Sequence, residues 1–143
     1  MKTHPTSKPR RGFTLIELMV VVLIIAILAA LVVPNVIKRL DEAKINATKG
    51  NIGRIASLVQ AFRLDCDRYP TTEEGLQSLL TAPADATGWK GPYIDNGKMP
   101  LDGYNRPFTY QCPGPSGEDS FLIISDGKDA QAGTGDDISN MDI

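Results

Sequence analysis

Residues 12–33 read GFTLIELMVVVLIIAILAALVV. From Phe13 to Val33 this stretch carries a single charge, that of Glu17. As an α-helix it would be about 31 Å long, which is enough to cross the hydrocarbon core of a bilayer. A carboxylate costs about 2.5–3.5 kcal/mol at the centre of such a helix and less near its end, so it persists mainly where it has a role. The stretch therefore predicts a helix of membrane length and raises the question of what Glu17 does in it.

The short leader before this stretch is basic. Its first twelve residues contain four cations and no acid: Lys2, Lys8, Arg10 and Arg11. Such an excess of positive charge holds the N-terminus of a membrane protein on the cytoplasmic side, and the leader is too short to form a nucleic-acid patch. Three uses of the apolar stretch remain open: a removable secretory signal cut near Ala30, an uncleaved anchor, or a membrane segment that also acts through Glu17.

Helical periodicity continues beyond the apolar stretch. Pro34 can kink a helix without ending it, because proline removes one backbone donor and crowds the preceding turn. Past it, one apolar stripe recurs at helical spacing: Ile52, Ile55, Ala56, Val59 and Phe62. We therefore predict one long helix from Phe13 to about Leu64, with an apolar half over residues 13–34 and an amphipathic half over residues 35–64.

Residues 65–143 have the composition of a small globular head. Thr71 and Glu74 have the spacing of a capping box, which predicts a short helix after them. Two strand candidates follow, Pro107–Cys112 and Phe121–Ser125. The last eighteen residues are too polar and too rich in glycine to form a core element unaided. The predicted fold class is α+β, with the long helix packed on a small antiparallel sheet.

The chain has two cysteines, Cys66 and Cys112, and one histidine, His4. Because His4 lies in the leader, these three residues do not make a zinc site. A disulfide between the cysteines would close a loop of roughly 46 residues and contribute up to about 4 kcal/mol in the chain-entropy model. Two separate buried thiols are the alternative.

The C-terminal region is acidic and rich in glycine. Residues 125–137 read SDGKDAQAGTGDD, in which four carboxylates fall close together: Asp126, Asp129, Asp136 and Asp137. Their mutual repulsion disfavours a compact loop unless a cation neutralises it, and hard oxygen ligands suit Ca²⁺. The spacing does not fit an EF-hand. On the residues alone, a solvated acidic tail is at least as good an interpretation as a calcium loop.

The hexapeptide Gly12–Glu17, GFTLIE, following a basic leader, closely resembles the type III signal of type IV pilins and pseudopilins. The resemblance implies that a membrane-embedded prepilin peptidase cuts after Gly12, removes residues 1–12 and methylates the new N-terminus at Phe13. It also implies a partner for Glu17, namely the positively charged Phe13 amine of a neighbouring subunit. An acid paired in this way costs less in lipid than an unpaired one.

The chain past Gly12 resembles the major pseudopilins of type II secretion systems, the general secretion pathway protein G family. The stretches that carry the resemblance are GFTLIELMVV, AALVVPNV, YPTTEEGLQSL and the acidic loop. It implies a pilin-like fold and a calcium site in that loop. The implied side-chain ligands are Asp129, Asp136 and Asp137, and the implied main-chain ligands are the carbonyl oxygens of Asp126, Gln131 and Thr134.

One departure from the family falls on a turn. Its members usually carry Pro-Trp-Gly-Asn-Pro ahead of the sheet, where this chain has Gly103-Tyr104-Asn105-Arg106-Pro107. Asparagine adopts the left-handed conformation more readily than other residues with a Cβ. We therefore expect the turn to survive, with Asn105 in the left-handed region.

The resemblance also implies where the protein acts and with what. It predicts a single-pass inner-membrane subunit with a periplasmic head, whose partners are copies of itself, minor pseudopilins, the prepilin peptidase, membrane lipid and an assembly platform with its ATPase. Two alternatives are a type IV pilin of a surface fibre and a secreted calcium-binding module with an ordinary signal peptide. With its one histidine in the leader and no Ser-His-Asp or Cys-His set, the chain is not expected to be an enzyme.

Overall fold

A computed structural model describes residues 12–143, so the basic leader and His4 lie outside the described residues. The main element is helix α1, Leu15–Cys66, which is 52 residues long. Pro34 lies inside α1 and does not end it. The prediction of one long helix is confirmed, with ends within two residues of those expected.

The chain divides into two compact units, Met1–Arg39 and Leu40–Ile143. The described part of the first unit consists of residues 12–14 and the start of α1, and every residue in it is exposed. The apolar stretch of α1 is long enough to cross a membrane, and none of it is buried. Its large side chains therefore require lipid or another protein as their surroundings.

The second unit, here called the head, contains a three-stranded antiparallel sheet. Its strands are β1, Thr109–Gln111, β2, Leu122–Ser125, and β3, Ile138–Ser139, in the spatial order β1-β2-β3. The first two lie within the predicted strand candidates. The third was not predicted, because the C-terminal region was expected to form no core element unaided.

The core of the head lies between α1 and the sheet. The predicted stripe is buried there, with Ile52, Ile55, Val59 and Phe62 fully inaccessible, whereas Ala56 is only partly buried. The sheet and the loops contribute the other buried apolar side chains: Leu76, Leu79, Ile94, Phe108, Tyr110, Phe121, Ile123 and Ile138. Full burial of such a side chain stabilises the fold by about 1.5–3 kcal/mol. The amphipathic half of α1 is therefore held in place by hydrophobic packing.

A capping box follows α1, as the sequence predicted. The Glu74 N–H donates to Thr71 Oγ1 over 3.2 Å, and the Thr71 N–H donates to Glu74 Oε2 over 2.8 Å. The short helix predicted to follow it is a 3-10 helix at Gly75–Leu79. A second 3-10 segment occupies Asp95–Gly97.

The turn before β1 attaches to α1. Asn105 has φ 63°, which confirms the left-handed conformation expected for it. Asp102 Oδ1 accepts hydrogen bonds from the N–H groups of Tyr104 and Arg106, at 2.9 and 2.8 Å. The Gly103 N–H donates to the buried Thr48 hydroxyl of α1 over 2.9 Å. The departure from the family sequence therefore leaves a well-bonded turn.

Candidate functional site

The first candidate site is the start of α1. Residues 12–14 precede the helix in an exposed, non-helical stretch, so the Gly12–Phe13 peptide bond lies in accessible chain. Phe13 itself is 81% exposed. This is the conformation that a peptidase needs if it is to bind and cut the chain after Gly12.

Thr14 connects this end of the chain to Glu17. The Glu17 N–H donates to Thr14 Oγ1 over 3.3 Å, and the Thr14 hydroxyl lies 3.4 Å from Glu17 Oε2 as a donor. The threonine thus satisfies one of the backbone donors that the first turn of a helix leaves free. Thr14 was missed in the sequence, although its spacing of three residues from Glu17 is that of a capping box.

The second candidate site is the acidic loop, residues 126–137, which lies between β2 and β3. Its centre is the Thr134 hydroxyl, whose oxygen lies 2.6 Å from Asp136 Oδ1, 3.3 Å from Asp129 Oδ1 and 3.4 Å from Asp137 Oδ1. The carbonyl oxygen of Gln131 is also close, at 3.0 Å. The structure therefore gathers five of the six predicted residues, with Thr134 as an additional side-chain oxygen.

Backbone N–H groups hold the loop carboxylates in position. Asp136 Oδ2 accepts from the N–H groups of Lys128 and Asp129, at 2.6 and 3.0 Å. Asp137 Oδ2 accepts from the Gly133 N–H over 2.7 Å. The hydrogen bond from the Thr134 hydroxyl, followed by that from the Asp129 N–H, lowers the pKa of Asp136 to about 2. Asp136 is therefore ionised at neutral pH.

The chemistry of this cluster suits a hard cation. One hydroxyl has one proton and can satisfy only one of the four acceptors around Thr134. Asp129 Oδ1 also accepts from the Gln131 N–H over 2.9 Å, but Asp136 Oδ1, Asp137 Oδ1 and the Gln131 carbonyl oxygen share the one hydroxyl proton. A cation with oxygen ligands would stabilise this arrangement. Even so, among residues 12–143 no three His, Cys, Asp or Glu side chains are gathered closely enough to hold a metal as they stand.

Asp126 differs from the other loop acids. Asp126 directly follows β2 and is half-buried, and its carboxylate makes no hydrogen bond with the residues that the structure describes. The structure therefore does not bring the Asp126 side chain into the cluster around Thr134. Its carbonyl oxygen remains the ligand that the resemblance implies.

The two cysteines are free thiols in the structure, and each is half-buried. Cys66 ends α1, and burial raises the pKa of its thiol. Cys112 follows β1, where its N–H donates to the Thr72 hydroxyl over 2.9 Å. The raised pKa makes the Cys66 thiol a poorer nucleophile. A disulfide between the two cysteines stays a prediction.

Comparisons with known families match both parts of the chain. Residues 7–33 match the prokaryotic N-terminal methylation motif, and residues 35–142 match the family described as type II secretion system (T2SS), protein G. The first match covers the end of the leader from residue 7 through Gly12, together with Phe13 and Glu17. The second covers the amphipathic half of α1, the sheet and the whole acidic loop.

Individual relatives agree with these matches. The type II secretion system core protein G of Pseudomonas aeruginosa is 41% identical over 140 residues, covering 94% of this chain and 97% of the relative. That of Aeromonas hydrophila is 38% identical over 140 residues, covering 96% of each. The crystal structure of the major pseudopilin from the type 2 secretion system of enterohaemorrhagic Escherichia coli superposes with a TM-score of 0.67 at 30% identity, over 78% of this chain and 98% of that one. The chain belongs to the type II secretion system protein G family.

Proposed function

We propose that this chain is the major subunit of a pseudopilus and that the pseudopilus drives export of folded proteins across the outer membrane. The observation that carries the proposal is the apolar half of α1, which is long enough to span a membrane and wholly unburied, with one acid a turn from its start. Such a helix suits two surroundings in succession, first lipid and then the core of a filament of identical subunits. The family match over residues 35–142 favours a secretion system over a surface fibre.

Maturation creates the charge that Glu17 needs. Cleavage after Gly12 by the prepilin peptidase exposes an amine at Phe13, and the methylation motif over residues 7–33 supports this step. In the assembled filament the methylated amine of one subunit pairs with Glu17 of its neighbour. Two buried charges that neutralise each other are tolerated, whereas either one alone is strongly unfavourable in lipid.

The sheet is poorly suited to joining subunits edge to edge. In β3 the Ser139 N–H is taken by Asp142 Oδ2 over 2.9 Å. Directly after β1 the Thr72 hydroxyl accepts from the Cys112 N–H and donates to its carbonyl oxygen, at 2.9 and 2.8 Å. Side chains that occupy edge groups in this way discourage strand addition. Assembly therefore proceeds through α1.

The subunit has a structural and not a catalytic role. Before assembly it is held in the inner membrane by the apolar half of α1, with its head in the periplasm. The ATPase of the assembly platform supplies the energy for extraction, and minor pseudopilins complete the filament. The subunit itself binds neither nucleotide nor nucleic acid.

Calcium is the cofactor that we propose for the acidic loop. The side chains of Asp129, Asp136 and Asp137, with the carbonyl oxygens of Asp126, Gln131 and Thr134, would hold the ion. The support is the group of oxygens around Thr134, which a single hydroxyl proton cannot satisfy. Bound Ca²⁺ would neutralise the loop and tie the segment before β3 to the segment after β2, which stabilises the head.

The test compares Glu17→Gln with Glu42→Gln, a matched loss of an exposed acid in the head part of α1. Each variant is expressed with its prepilin peptidase and secretion system, and the membrane protein is analysed by intact mass and N-terminal sequencing. Both variants should start at methylated Phe13, and only Glu17→Gln should fail to yield sheared filaments. Normal filaments from Glu17→Gln would refute the charge pairing, and a chain that starts near Leu31 would refute the pseudopilin assignment altogether.

A further inference from the structure

The backbone of Lys128 bonds within the acidic loop, whereas its charged side chain bonds to α1. Its N–H donates to Asp136 Oδ2 over 2.6 Å, inside the loop. Its Nζ donates instead to Asp41 Oδ2 of α1, also over 2.6 Å. The Lys128 side chain is 62% exposed and that of Asp41 is 31% exposed, so this ion pair lies at the surface of the head.

The ammonium and the loop carboxylates share one open space. A cleft of about 520 Å³ is lined by Asp41, Lys128, Asp136 and Asp137, among others. Lysine carries its charge on a flexible four-carbon stem. Because the Lys128 amide already touches the Asp136 carboxylate, its ammonium is close enough to fold back onto the loop whenever Asp41 releases it.

An ammonium folded back in this way would act as an internal counter-ion. It brings a positive charge and three hydrogen-bond donors to carboxylates whose Oδ1 atoms, in Asp136 and Asp137, otherwise share the single Thr134 hydroxyl proton. Those are the oxygens that a divalent cation would use, so the two cations compete for the same carboxylates. Their competition is intramolecular, and it is decided by how firmly Asp41 holds Lys128.

We propose that Asp41 is a positioning residue for the acidic loop, which keeps the Lys128 ammonium away from the carboxylates so that a divalent cation can bind. This rests on the calcium site proposed above. Removing the charge of Asp41 should weaken calcium binding about tenfold, which corresponds to about 1.4 kcal/mol. In a chain without the Lys128 charge, the same change should have almost no effect.

Direct electrostatics makes a different prediction. Any acid near a cation site strengthens binding through its field, whether or not Lys128 is present. On that account Asp41→Asn weakens calcium binding equally in the wild-type and the Lys128→Gln backgrounds. The two explanations therefore differ in the coupling between Asp41 and Lys128, which a double-mutant cycle measures.

Lys49 provides the matched control. It lines the same cleft, but the ammonium that bonds Asp41 is that of Lys128. Lys49→Gln thus removes one positive charge from the cleft without removing the competitor. In the Lys49→Gln background, Asp41→Asn should keep its full effect. Asp41→Glu preserves the charge and should restore calcium binding, which a purely structural role of the aspartate would not predict.

The experiment titrates CaCl₂ into the full-length chain in detergent micelles, by calorimetry at fixed ionic strength. The proteins are wild type, Asp41→Asn, Asp41→Glu, Lys128→Gln, Lys49→Gln and the two double variants with Asp41→Asn. Thermal melts in chelator confirm that each variant is folded. If Asp41→Asn unfolds, Asp41→Glu is used in its place, and it should bind calcium with wild-type affinity. A tenfold loss in Asp41→Asn that disappears with Lys128→Gln supports the proposal.

Two other outcomes are distinguishable. Equal weakening by Asp41→Asn in all three backgrounds overturns the role of Asp41 and leaves the calcium site standing. Absence of calcium binding in the wild-type chain overturns the calcium site and the positioning role with it.

Discussion

Replacing Gly103 by alanine should destabilise the head through a steric conflict with α1. A Cβ built on Gly103 would lie 2.2 Å from the Lys44 carbonyl oxygen, which belongs to the helix backbone. The helix cannot yield there, since the next turn of α1 is held in the core by the buried Thr48 and Ile52. The turn must therefore move away, and the 2.9 Å hydrogen bond from the Gly103 N–H to Thr48 breaks.

The expected loss has two parts. Losing the hydrogen bond from the half-buried Gly103 N–H to the buried Thr48 hydroxyl costs about 1–3 kcal/mol. Displacing a packed segment to accommodate one extra carbon typically costs about 1–3 kcal/mol more. We therefore expect a decrease of about 2–6 kcal/mol in the free energy of unfolding, which for a head of this size lowers the melting temperature by at least about 8 °C.

The assay is urea denaturation of the full-length chain in detergent with chelator, followed by circular dichroism. Gly53→Ala is the control, because Gly53 lies within α1 and a Cβ there would meet nothing within 4 Å. Alanine is the better helix former by about 1 kcal/mol, so this variant should be more stable than wild type. A Gly103→Ala protein within 0.5 kcal/mol of wild type, roughly the precision that one substitution allows, would refute the steric reasoning.

Three further changes have directions that the structure specifies. Asn105, at φ 63°, should tolerate glycine, whereas valine should lower the free energy of unfolding by about 1–2 kcal/mol in urea melts. The hydrogen bond from Arg68 lowers the pKa of Glu74 in the folded protein. The pair therefore stabilises the fold above the unfolded pKa of about 4.3, and this stabilisation is lost as pH falls through the lower folded pKa. Glu74→Gln should remove this part of the loss of stability in acid, measured by melts between pH 2 and 6. Calcium should raise the melting temperature of the wild-type chain and not that of a chain carrying Asp136→Asn and Asp137→Asn, and equal melts in calcium and chelator would count against the site.

The long helix and its buried stripe could be predicted because they depend on local periodicity. Ile52, Ile55, Val59 and Phe62 recur at the helical repeat, and a stripe of that kind has only one face to bury. Pro34 did not mislead the prediction, since a proline perturbs a helix at one turn while the flanking pattern extends over many. The capping box was equally local, with its donor and acceptor three residues apart.

Strand β3 could not be predicted because its stability is not local. Ile138–Ser139 is only two residues long, which is too short for an alternating pattern. It is completed by Asn140, whose side-chain oxygen accepts from the Ile123 N–H over 2.8 Å and whose own N–H donates to the Ile123 carbonyl oxygen over 3.1 Å. An asparagine that extends a strand in this way is indistinguishable in sequence from one in a polar tail.

The polar interior of the head could not be predicted either, because its contacts also join residues far apart in the sequence. One of these contacts fixes the start of the acidic loop. The Asp102 side chain is 1% exposed, with Oδ2 accepting from the Ser125 hydroxyl over 2.7 Å and lying 3.6 Å from Arg106 Nε. Ser125 is the last residue of β2 and directly precedes the loop. A buried carboxylate paired in this manner is costly to disrupt, because its partners cannot recover water as a substitute. The loop therefore begins from a rigid point and returns to the sheet at β3. Between these two ends lie the carboxylates for which we propose a cation, and under that proposal the placement of the Lys128 ammonium on Asp41 matters for the function of the subunit.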